Sequence, residues 1–355
     1  MTANARHRDE SNPESLPFVS VVMPVRNEAR FIANTLETVL QQDYPADRFE
    51  VIVADGMSDD GTQDILRDIE ARYDQLRVIT NQGRIVTTGL NVAINKAHGD
   101  VIIWLGGHAL IARDYIRSNV ALLDEHPEAW IVGGPLIHTA DRRFGKAVAI
   151  AMSHPLGVGN ANHHFADFEG YVEGAPFPAI RRCVFDRIGY FDERLVRNQD
   201  DEFYYRIRQA GGKIYVTPRT RCTYFVREHI GQLFRQQFQY SFWRIPVMRK
   251  HRQPTTLRQL VPSIFYITVL TLPLFGIWLK HPVIAVGLPA VYLSVLACAG
   301  ILSTRKNGIA VAWRVPLAMA TMHLAYAMGM IYGAGAVFLR PGSWNRKGSM
   351  ATLNR

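Results

Sequence analysis

Short apolar runs alternate with amphipathic segments in the amino-terminal part of this chain. The runs are rich in β-branched residues and end in turn formers, which predicts buried strands at 18–24, 51–55, 77–79 and 101–105. Gly99 is a candidate C-cap for the helix before the fourth strand. Because strands that alternate with helices build right-handed βαβ units, the pattern predicts an α/β fold with a mostly parallel sheet and helices on both faces.

The second predicted strand ends at Asp55, and the turn after it carries Asp59 and Asp60. A helix is predicted to follow at about 62–73. Open α/β sheets bind ligands at the carboxyl ends of their parallel strands, which is where these acids are placed. An ordinary strand, turn and helix with solvated acids would show the same pattern. The meaning of this stretch therefore depends on the rest of the chain.

The alternation loosens after about residue 130. Further strands are predicted near 130–134 and 213–216. The stretch 138–180 is rich in Gly, Pro and His, which predicts long functional loops. Arg181 and Arg182 could face a phosphate-bearing partner, or they could be ordinary surface charge.

Three long apolar runs follow, at 260–279, 282–302 and 311–338. Each is close to or above the roughly 20 residues that a membrane-spanning helix needs, and none shows the polar face of a soluble core helix. The chain is therefore predicted to enter a lipid bilayer. Before these runs, residues 228–258 combine apolar residues at helical spacing with a basic side. That pattern predicts either an amphipathic helix in the membrane interface or a core helix packed on the sheet.

These patterns predict five parts in the chain. Residues 1–17 would be a disordered tail, 18–227 the α/β domain, 228–258 an interfacial helical segment, 260–338 about three transmembrane helices, and 339–355 a basic tail. The first tail has no apolar core and does not resemble a signal peptide.

The formal net charge of +9 suits nucleic acid, anionic lipid or a phosphate-bearing substrate. The sequence has no recognised nucleic-acid-binding motif, so no nucleic-acid partner is expected. The three cysteines have neither metal-ligand nor redox spacing, which fits a reducing cytosol. Arg305 and Lys306 argue that the second connection between apolar runs is cytosolic. We therefore expect a multi-pass protein of the cell inner (plasma) membrane with a cytoplasmic α/β domain.

Five segments, in this order, resemble the inverting, GT-A-fold glycosyltransferases of family 2. They are Pro24-Val25-Arg26-Asn27-Glu28, the stretch from Asp55 to Thr62, the set Gly83, Asn91, Ala97 and Gly99-Asp100, the stretch from Asn198 to Glu202, and Arg235-Gln236-Gln237 with Trp243-Arg244. The resemblance covers residues 18 to about 245, and the chain is most similar to membrane-bound members like the succinoglycan glucosyltransferase ExoA. It implies a GT-A (nucleotide-diphospho-sugar transferase) fold followed by a carboxy-terminal α-helical transmembrane region.

The resemblance implies that the loops after the first two strands bind a nucleotide-diphosphate sugar. The implied donor-binding residues are Pro24, Asn27, Glu28, Asp55, Asp60 and Arg84. Asp55 and Glu28 would accept hydrogen bonds from the base and ribose. Asp60 would do the same or tie down its own loop. Arg84 would face the diphosphate, or it would be a solvated turn residue.

Direct displacement at the anomeric carbon needs a base for the acceptor hydroxyl, and a positioned carboxylate is typically worth about 10²–10⁴ in rate. Asp200 aligns with the family's base, and Asp201 is the neighbouring alternative. Either residue could instead cap the helix that follows. The resemblance places Gln236, Trp243 and Arg244 on the acceptor and membrane side.

The chain departs from the family after the fourth strand. Relatives carry Asp-x-Asp or Asp-Ala-His there and hold a divalent cation, Mg²⁺ or Mn²⁺, on the diphosphate, whereas this chain has Gly106-Gly107-His108. His108 alone is a poor Mg²⁺ ligand, but it could help to hold Mn²⁺ or donate a hydrogen bond to phosphate. The diphosphate itself could hold most of the metal, basic residues could replace it, or the activity could be lost or altered.

The expected function is that of a membrane-bound inverting hexosyltransferase. Its donor would be a nucleotide-diphosphate sugar similar to UDP-glucose, and its acceptor a polyprenyl-linked saccharide in exopolysaccharide or cell-envelope biosynthesis. One alternative is a polyprenyl-phosphate hexose synthase, which differs only in the acceptor. The other is a non-catalytic sugar-nucleotide-binding protein, which the altered metal motif suggests.

Overall fold

The computed structural model describes residues 16–159, 161–254 and 259–339. Most of the predicted tail at 1–17 and of the predicted basic tail at 339–355 therefore lies outside the described residues. The chain divides into two compact units. The first unit takes in the chain up to Ile137 together with Asn162–Glu193 and Gln199–Tyr224, and the second consists of His138–Ala161, Arg194–Asn198 and the chain from Phe225 onward.

A large sheet forms the centre of the first unit. The strands of the described chain are β1 (Val19–Val25), β2 (Phe49–Asp55), β3 (Leu76–Thr80), β4 (Val101–Trp104), β5 (Ala109–Ile111), β6 (Ala129–Gly133), β7 (Leu136–Thr139), β8 (Gly170–Tyr171), β9 (Ala179–Arg181), β10 (Lys213–Val216) and β11 (Cys222–Phe225). Among the described residues, an eight-stranded sheet has the order β3-β2-β1-β4-β9-β6-β10-β8, and a three-stranded sheet has the order β5-β11-β7.

The pairing of the large sheet is mostly parallel, as predicted. β1 pairs in parallel with β2 and β4, and β2 with β3. β9 runs antiparallel between β4 and β6, and β8 runs antiparallel along β10. In the register of the first strands, Val25 lies opposite Asp55 and Val22 opposite Trp104. The residues that follow β1, β2 and β4 therefore leave the sheet at the same edge.

Helices cover both faces of this sheet. The helices of the first unit are α1 (Ile32–Leu40), α2 (Thr62–Glu70), α3 (Val86–Lys96), α4 (Tyr115–Glu125), α7 (Cys183–Ile188) and α8 (Gln199–Gln209), and those of the second are α5 (Arg143–Met152), α6 (Pro155–Val158), α9 (Ile230–His251), α10 (Val261–Trp278), α11 (Pro282–Asn307), α12 (Ile309–Ala312) and α13 (Arg314–Leu339). Successive side chains of a strand point to opposite faces, so Val21 and Met23 pack with α1, α2 and α4, while Val22 packs with α3, α7 and α8.

Two local predictions were wrong. Gly99 does not cap α3, which ends at Lys96 with Ala97 in extended conformation. Gly99 instead lets two backbone segments approach, because a Cβ atom there would lie 2.5 Å from the backbone nitrogen of Ser20. The stretch 138–180 is not composed of loops alone, since it contains the ten-residue helix α5.

The three predicted apolar runs are helical in the second unit. Helical stretches long and apolar enough to cross a membrane occur at Val261–Trp278, Pro282–Ser303 and Ile309–Leu339 in the part of the chain that is described. Their lengths of 18, 22 and 31 residues are close to or above what a bilayer core requires.

Helix α9 packs closely along α13. A Cβ atom at Gly329 would lie 2.1 Å from the Oγ atom of Ser241, and one at Gly333 would lie 3.0 Å from the carbonyl oxygen of Phe242. Arg249 donates to the carbonyl oxygen of Val337 over 2.7 Å. Small residues four apart let two helix backbones approach closely, as is common between membrane helices. The position of α9 in a membrane interface stays a prediction.

We expect Gly329→Val to destabilise the second unit by about 1–3 kcal/mol, because the added atoms would overlap Ser241 and the backbone of Phe238. Gly335→Val is the matched control on the same helix, since no described atom lies within 4 Å of a Cβ there. Thermal unfolding in detergent compares the two variants. Equal losses of melting temperature would contradict the close packing of α9 on α13.

Candidate active site

Asp55 ends β2 as a buried carboxylate that organises the loop after it. Its Oδ1 atom accepts from the Ser58 hydroxyl over 2.6 Å, and its Oδ2 atom accepts from the Ser58 backbone N–H over 3.2 Å. The Gln63 side chain also donates to Oδ2, over 3.0 Å. Only 5% of Asp55 is exposed. Removing such an acceptor would leave buried hydrogen-bond donors unsatisfied. Asp55 therefore has a structural role, whether or not it also contacts a ligand.

Asn27 joins the loop after β1 to the loop after β2. Its side chain donates to Asp59 over 2.8 Å and accepts from the Asp59 backbone N–H over 3.0 Å. Its own backbone N–H donates to the Ser58 hydroxyl over 2.9 Å. Asn27 has a φ of 57°, a left-handed conformation that asparagine adopts more readily than most residues. The polar chemistry of Asn27 and its backbone conformation therefore serve the same junction.

Asp60 ties the start of α2 to the loop after β1. Its Oδ1 atom accepts from the backbone N–H of Thr62 over 3.0 Å, and its Oδ2 atom accepts from the backbone N–H of Ala29 over 3.1 Å. Burial acts to raise the pKa of Asp60, but the hydrogen bonds from Thr62 and Ala29 outweigh it, so the pKa lies below its ordinary value. Of the two roles considered for Asp60, the described contacts are those of a loop tie.

Glu28 and His108 meet between the loops after β1 and β4. The Nδ1 atom of His108 lies 3.0 Å from the Oε1 atom of Glu28, and both side chains are largely buried. The backbone N–H of Glu28 donates to the Thr62 hydroxyl over 2.9 Å. The His108 ring also lies near Phe31 and Tyr224, with centroid distances of 6.3 and 5.5 Å.

Gly106 and Gly107, the other residues of the altered motif, differ in the space around them. A Cβ atom at Gly107 would lie 2.8 Å from the Cγ atom of Glu28. A Cβ atom at Gly106 would meet the Phe177 ring at 3.4 Å, an ordinary contact. A side chain at 107 would therefore disturb Glu28, whereas one at 106 would not.

Pro24 lies within β1, and Arg84 lies in the turn after β3. Pro24 is buried in β1. It lies close to α3, since a Cβ atom built at Gly89 would come within 2.9 Å of the Cβ atom of Pro24. Arg84 is exposed and has a φ of 58°, and its carbonyl oxygen accepts from Arg26 over 3.5 Å. The Arg84 side chain is thus on the surface of a turn that follows β3, and its contact with diphosphate stays a prediction.

Asp200 and Asp201 lie in the first turn of α8. The Oδ1 atom of Asp200 accepts from the backbone N–H of Asp201 over 2.9 Å. Because α8 begins at Gln199, both aspartates lie within the helix, and the N-cap role considered for them was wrong. One turn further on, Tyr204 donates to the carbonyl oxygen of Ala175. Burial raises the pKa of Tyr204 well above its ordinary value, and the neighbouring charge of Asp200 raises it further. Tyr204 therefore stays a neutral hydrogen-bond donor, and the assignment of Asp200 as the base stays a prediction.

The Glu202–Arg206 ion pair, which was not predicted, holds α8 in place. Glu202 is fully buried, and both of its carboxylate oxygens lie within 3.1 Å of the Nε atom of Arg206. Arg206 also donates to the backbone carbonyls of Ile188 and Tyr190. The four-residue spacing of opposite charges was the available signal. Removing either partner would leave a buried charge, so the pair fixes the helix that carries Asp200.

The predicted acceptor-side residues lie on α9 in the second unit. Trp243 is only 1% exposed. Gln236 is also buried, and its amide donates to the Tyr240 hydroxyl over 3.3 Å. The guanidinium carbon of Arg244 lies 5.9 Å from the centroid of the Tyr326 ring. Asn198 donates from its side chain to the carbonyl oxygen of Tyr240 over 2.8 Å. These contacts are internal to the unit, and an acceptor-binding role for these residues stays a prediction.

Arg181 and Arg182 bind backbone carbonyl groups. Arg181 donates to the carbonyl oxygens of Ala129 and Leu123, and Arg182 donates to that of Ala97. Arg181 also pairs in register with Val101, the first residue of β4. The two arginines therefore lie at the end of β4 remote from Gly106, where they stabilise the fold.

The fit of a divalent cation depends on His108. No group of three or more His, Cys, Asp or Glu side chains that could hold a metal ion occurs in the described ranges. A carboxylate accepts hydrogen bonds, so the contact with Glu28 pairs that carboxylate with Nδ1–H of His108, and Nε2 is the ring nitrogen left for a cation. The residues present therefore fit a cation carried mainly by a diphosphate and ligated by one imidazole nitrogen. They do not fit a metal site built from protein ligands alone.

The sheet and its connecting helices have a known fold. A mannosyltransferase from Pyrobaculum calidifontis, solved in complex with GDP-Man and Mn²⁺, superposes with a TM-score of 0.55 over 88% of this chain and 88% of its own, at 21% identity. The first unit has the GT-A fold of nucleotide-sugar transferases.

Sequence similarity then gives the family. The glycosyl transferase family 2 model matches residues 20–189, so the chain carries a glycosyltransferase domain of family 2. The succinoglycan biosynthesis protein ExoA of Rhizobium meliloti is 29% identical over 249 residues, which cover 68% of this chain and 73% of that protein. A dolichyl N-acetyl-alpha-D-glucosaminyl phosphate 3-beta-D-2,3-diacetamido-2,3-dideoxy-beta-D-glucuronosyltransferase of Methanococcus voltae is 25% identical over 241 residues, 66% of this chain and 74% of its own.

The lowered pKa of Asp60 predicts a pH-dependent contribution to stability. A carboxylate whose folded pKa is depressed stabilises the fold above its unfolded pKa, here about 3.8, and that contribution is lost as the pH falls through the folded value. We expect Asp60→Asn to melt below the wild type at pH 7 and the difference to shrink below pH of about 4. Thr62→Ser keeps both donors and should keep the wild-type profile. A constant gap across the acid range in thermal unfolding would disprove this assignment.

Proposed function

We propose that this glycosyltransferase is a membrane-bound inverting enzyme that moves a hexose from a nucleotide-diphosphate sugar to a lipid-linked saccharide. The observation that carries the proposal is the meeting of the loops after β1, β2 and β4 at one edge of a GT-A sheet. The succinoglycan and dolichyl-phosphate names of the two relatives support a role in exopolysaccharide or cell-envelope biosynthesis.

The donor would bind across the loops after β1 and β2. The backbone groups and carboxylates of these loops are already ordered by Asn27, Ser58 and Asp60, which lowers the entropy that donor binding must overcome. Asp55 and Glu28 are the proposed acceptors for the base and ribose. Arg84 is exposed at the same edge and would balance the charge of the diphosphate.

Asp200 would accept the proton of the acceptor hydroxyl as that oxygen attacks the anomeric carbon. The bond from this carbon to the diphosphate oxygen breaks at the same time, so the configuration inverts and the nucleoside diphosphate leaves with the electron pair. The buried Glu202–Arg206 pair would keep Asp200 oriented by fixing α8. Asp201 is the alternative base.

A divalent cation, when bound, would stabilise the charge that develops on the departing diphosphate. His108 is the residue that would ligate it, and its borderline-soft nitrogen favours Mn²⁺ over Mg²⁺. The replacement of the usual carboxylate by Gly106 also favours a second candidate function, that of a non-catalytic sugar-nucleotide-binding protein.

The three apolar helices would hold the catalytic unit at the cytoplasmic face of the inner membrane. A polyprenyl-linked acceptor presents its sugar at the headgroup level, which a membrane-anchored enzyme can reach without extracting the lipid. A polyprenyl phosphate acceptor would make the protein a polyprenyl-phosphate hexose synthase with the same donor chemistry.

Asp200→Asn should lower transfer by about 10²–10⁴-fold, because the amide cannot take the acceptor proton. The assay incubates detergent-solubilised protein with labelled UDP- and GDP-sugars and a polyprenyl lipid extract, with and without chelator. Asp201→Asn is the matched control and should retain most of the activity.

Three results would revise the proposal. Transfer that survives Asp200→Asn and is lost in Asp201→Asn moves the base by one residue. Transfer to polyprenyl phosphate but not to a lipid-linked saccharide selects the synthase. Nucleotide-sugar binding without transfer to any acceptor selects the non-catalytic protein.

A further inference from the structure

Glu28 and His108 form a polar contact that the donor-binding assignments do not explain. Their loops leave neighbouring parallel strands, and their side chains approach to 3.0 Å. Glu28 is held on its backbone side as well, because its N–H donates to Thr62 and its carbonyl oxygen accepts from Phe31 and Ile32. A flexible surface contact would not be fixed from both sides in this way.

We propose that Glu28 is a positioning residue that prepares His108 as the sole protein ligand of a donor-borne Mn²⁺ ion. This inference rests on the proposed function, because the cation arrives with the nucleotide diphosphate. The carboxylate accepts a hydrogen bond from Nδ1–H of His108. This contact leaves Nε2 for the cation and stops the ring from turning. Phe31 and Tyr224 limit the movement of the ring on other sides.

The glycine at 107 is part of the same arrangement. A Cβ atom there would come within 2.8 Å of the Glu28 Cγ atom and 3.1 Å of Val25 Cγ1. Glu28 would then have to move away from His108. A side chain at 107 would therefore compete for the space that the Glu28 side chain occupies when it contacts His108.

A single imidazole ligand favours Mn²⁺ over Mg²⁺. Mg²⁺ dehydrates reluctantly and prefers oxygen ligands, so one nitrogen adds little to what the diphosphate already offers. Mn²⁺ accepts imidazole more readily. We therefore expect free UDP or GDP to bind the protein more tightly with Mn²⁺ than with Mg²⁺, and the gain to depend on both Glu28 and His108.

The test measures binding of UDP and of GDP to the full chain in detergent by titration calorimetry, with Mn²⁺, Mg²⁺ or chelator. Glu28→Ala should lower the ratio of the Mn²⁺-dependent to the metal-free affinity by about 10–100-fold, since loss of its proposed contact with the base or ribose would weaken both affinities alike. Glu28→Gln keeps an oxygen acceptor and the side-chain shape, so it should retain most of the Mn²⁺ effect. Glu37→Gln, an exposed change on α1, is the control for general effects of losing a carboxylate.

A double variant separates positioning from general packing. If Glu28 acts through His108, Glu28→Ala should have no further effect on the Mn²⁺ dependence once His108→Ala is present. Electron spin-echo spectroscopy of bound Mn²⁺ should show a directly coordinated imidazole nitrogen in the wild type and lose it in His108→Ala.

The outcomes distinguish this inference from the function on which it rests. Nucleotide binding that is equally tight with Mn²⁺, Mg²⁺ and chelator would overturn the inference and leave the proposed function standing. So would a Glu28→Ala variant that melts and binds like the wild type. Failure of UDP and GDP to bind under every condition would overturn the proposed donor site itself.

Discussion

The hydroxyl group of Ser58 joins the two loops on which the proposed donor site depends. It donates to Asp55 at the end of β2 and accepts from the backbone N–H of Asn27 after β1. Ser58 is buried, so neither interaction is easily exchanged for water. The hydrogen bonds of Asn27 with Asp59, and of Asp60 with Ala29, extend the same junction outward. Polar groups of both loops are consequently in place before any ligand binds.

The buried strands were predictable because the sequence determines them locally. β1 and β2 are buried on both faces, and such strands read as nearly continuous β-branched runs. The same run placed Asp55 at the carboxyl edge of the sheet. The partners of Asp55 were not predictable, because they depend on a turn in which Met57 adopts a φ of 58°. The polar residues of the segment predicted a turn, but they did not indicate which hydrogen-bond donor would pair with which carboxylate oxygen.

Most of the elements that were not predicted from the sequence depend on long-range packing. Helix α5 falls in a Gly- and His-rich region that predicts loops, yet its small apolar residues Ala147, Val148 and Ala151 are fully buried in the second unit. Strand β9 enters the sheet antiparallel between β4 and β6, although the chain around it carries no repeating βαβ pattern. Tertiary contacts override local propensity in both cases, so a window of sequence could not have indicated them.

The departure at residues 106–108 combines two different changes. At 107 the side chain of Glu28 occupies the space that a Cβ atom would need, so glycine there and the Glu28–His108 contact depend on each other. At 106 the neighbouring Phe177 ring leaves room for a Cβ atom, so this contact does not require glycine. Packing therefore accounts for the glycine at 107 but not for the one at 106. Since a carboxylate at 106 would add the oxygen ligand that Mg²⁺ prefers, its absence agrees with the proposed role of the His108 imidazole in the choice of cation.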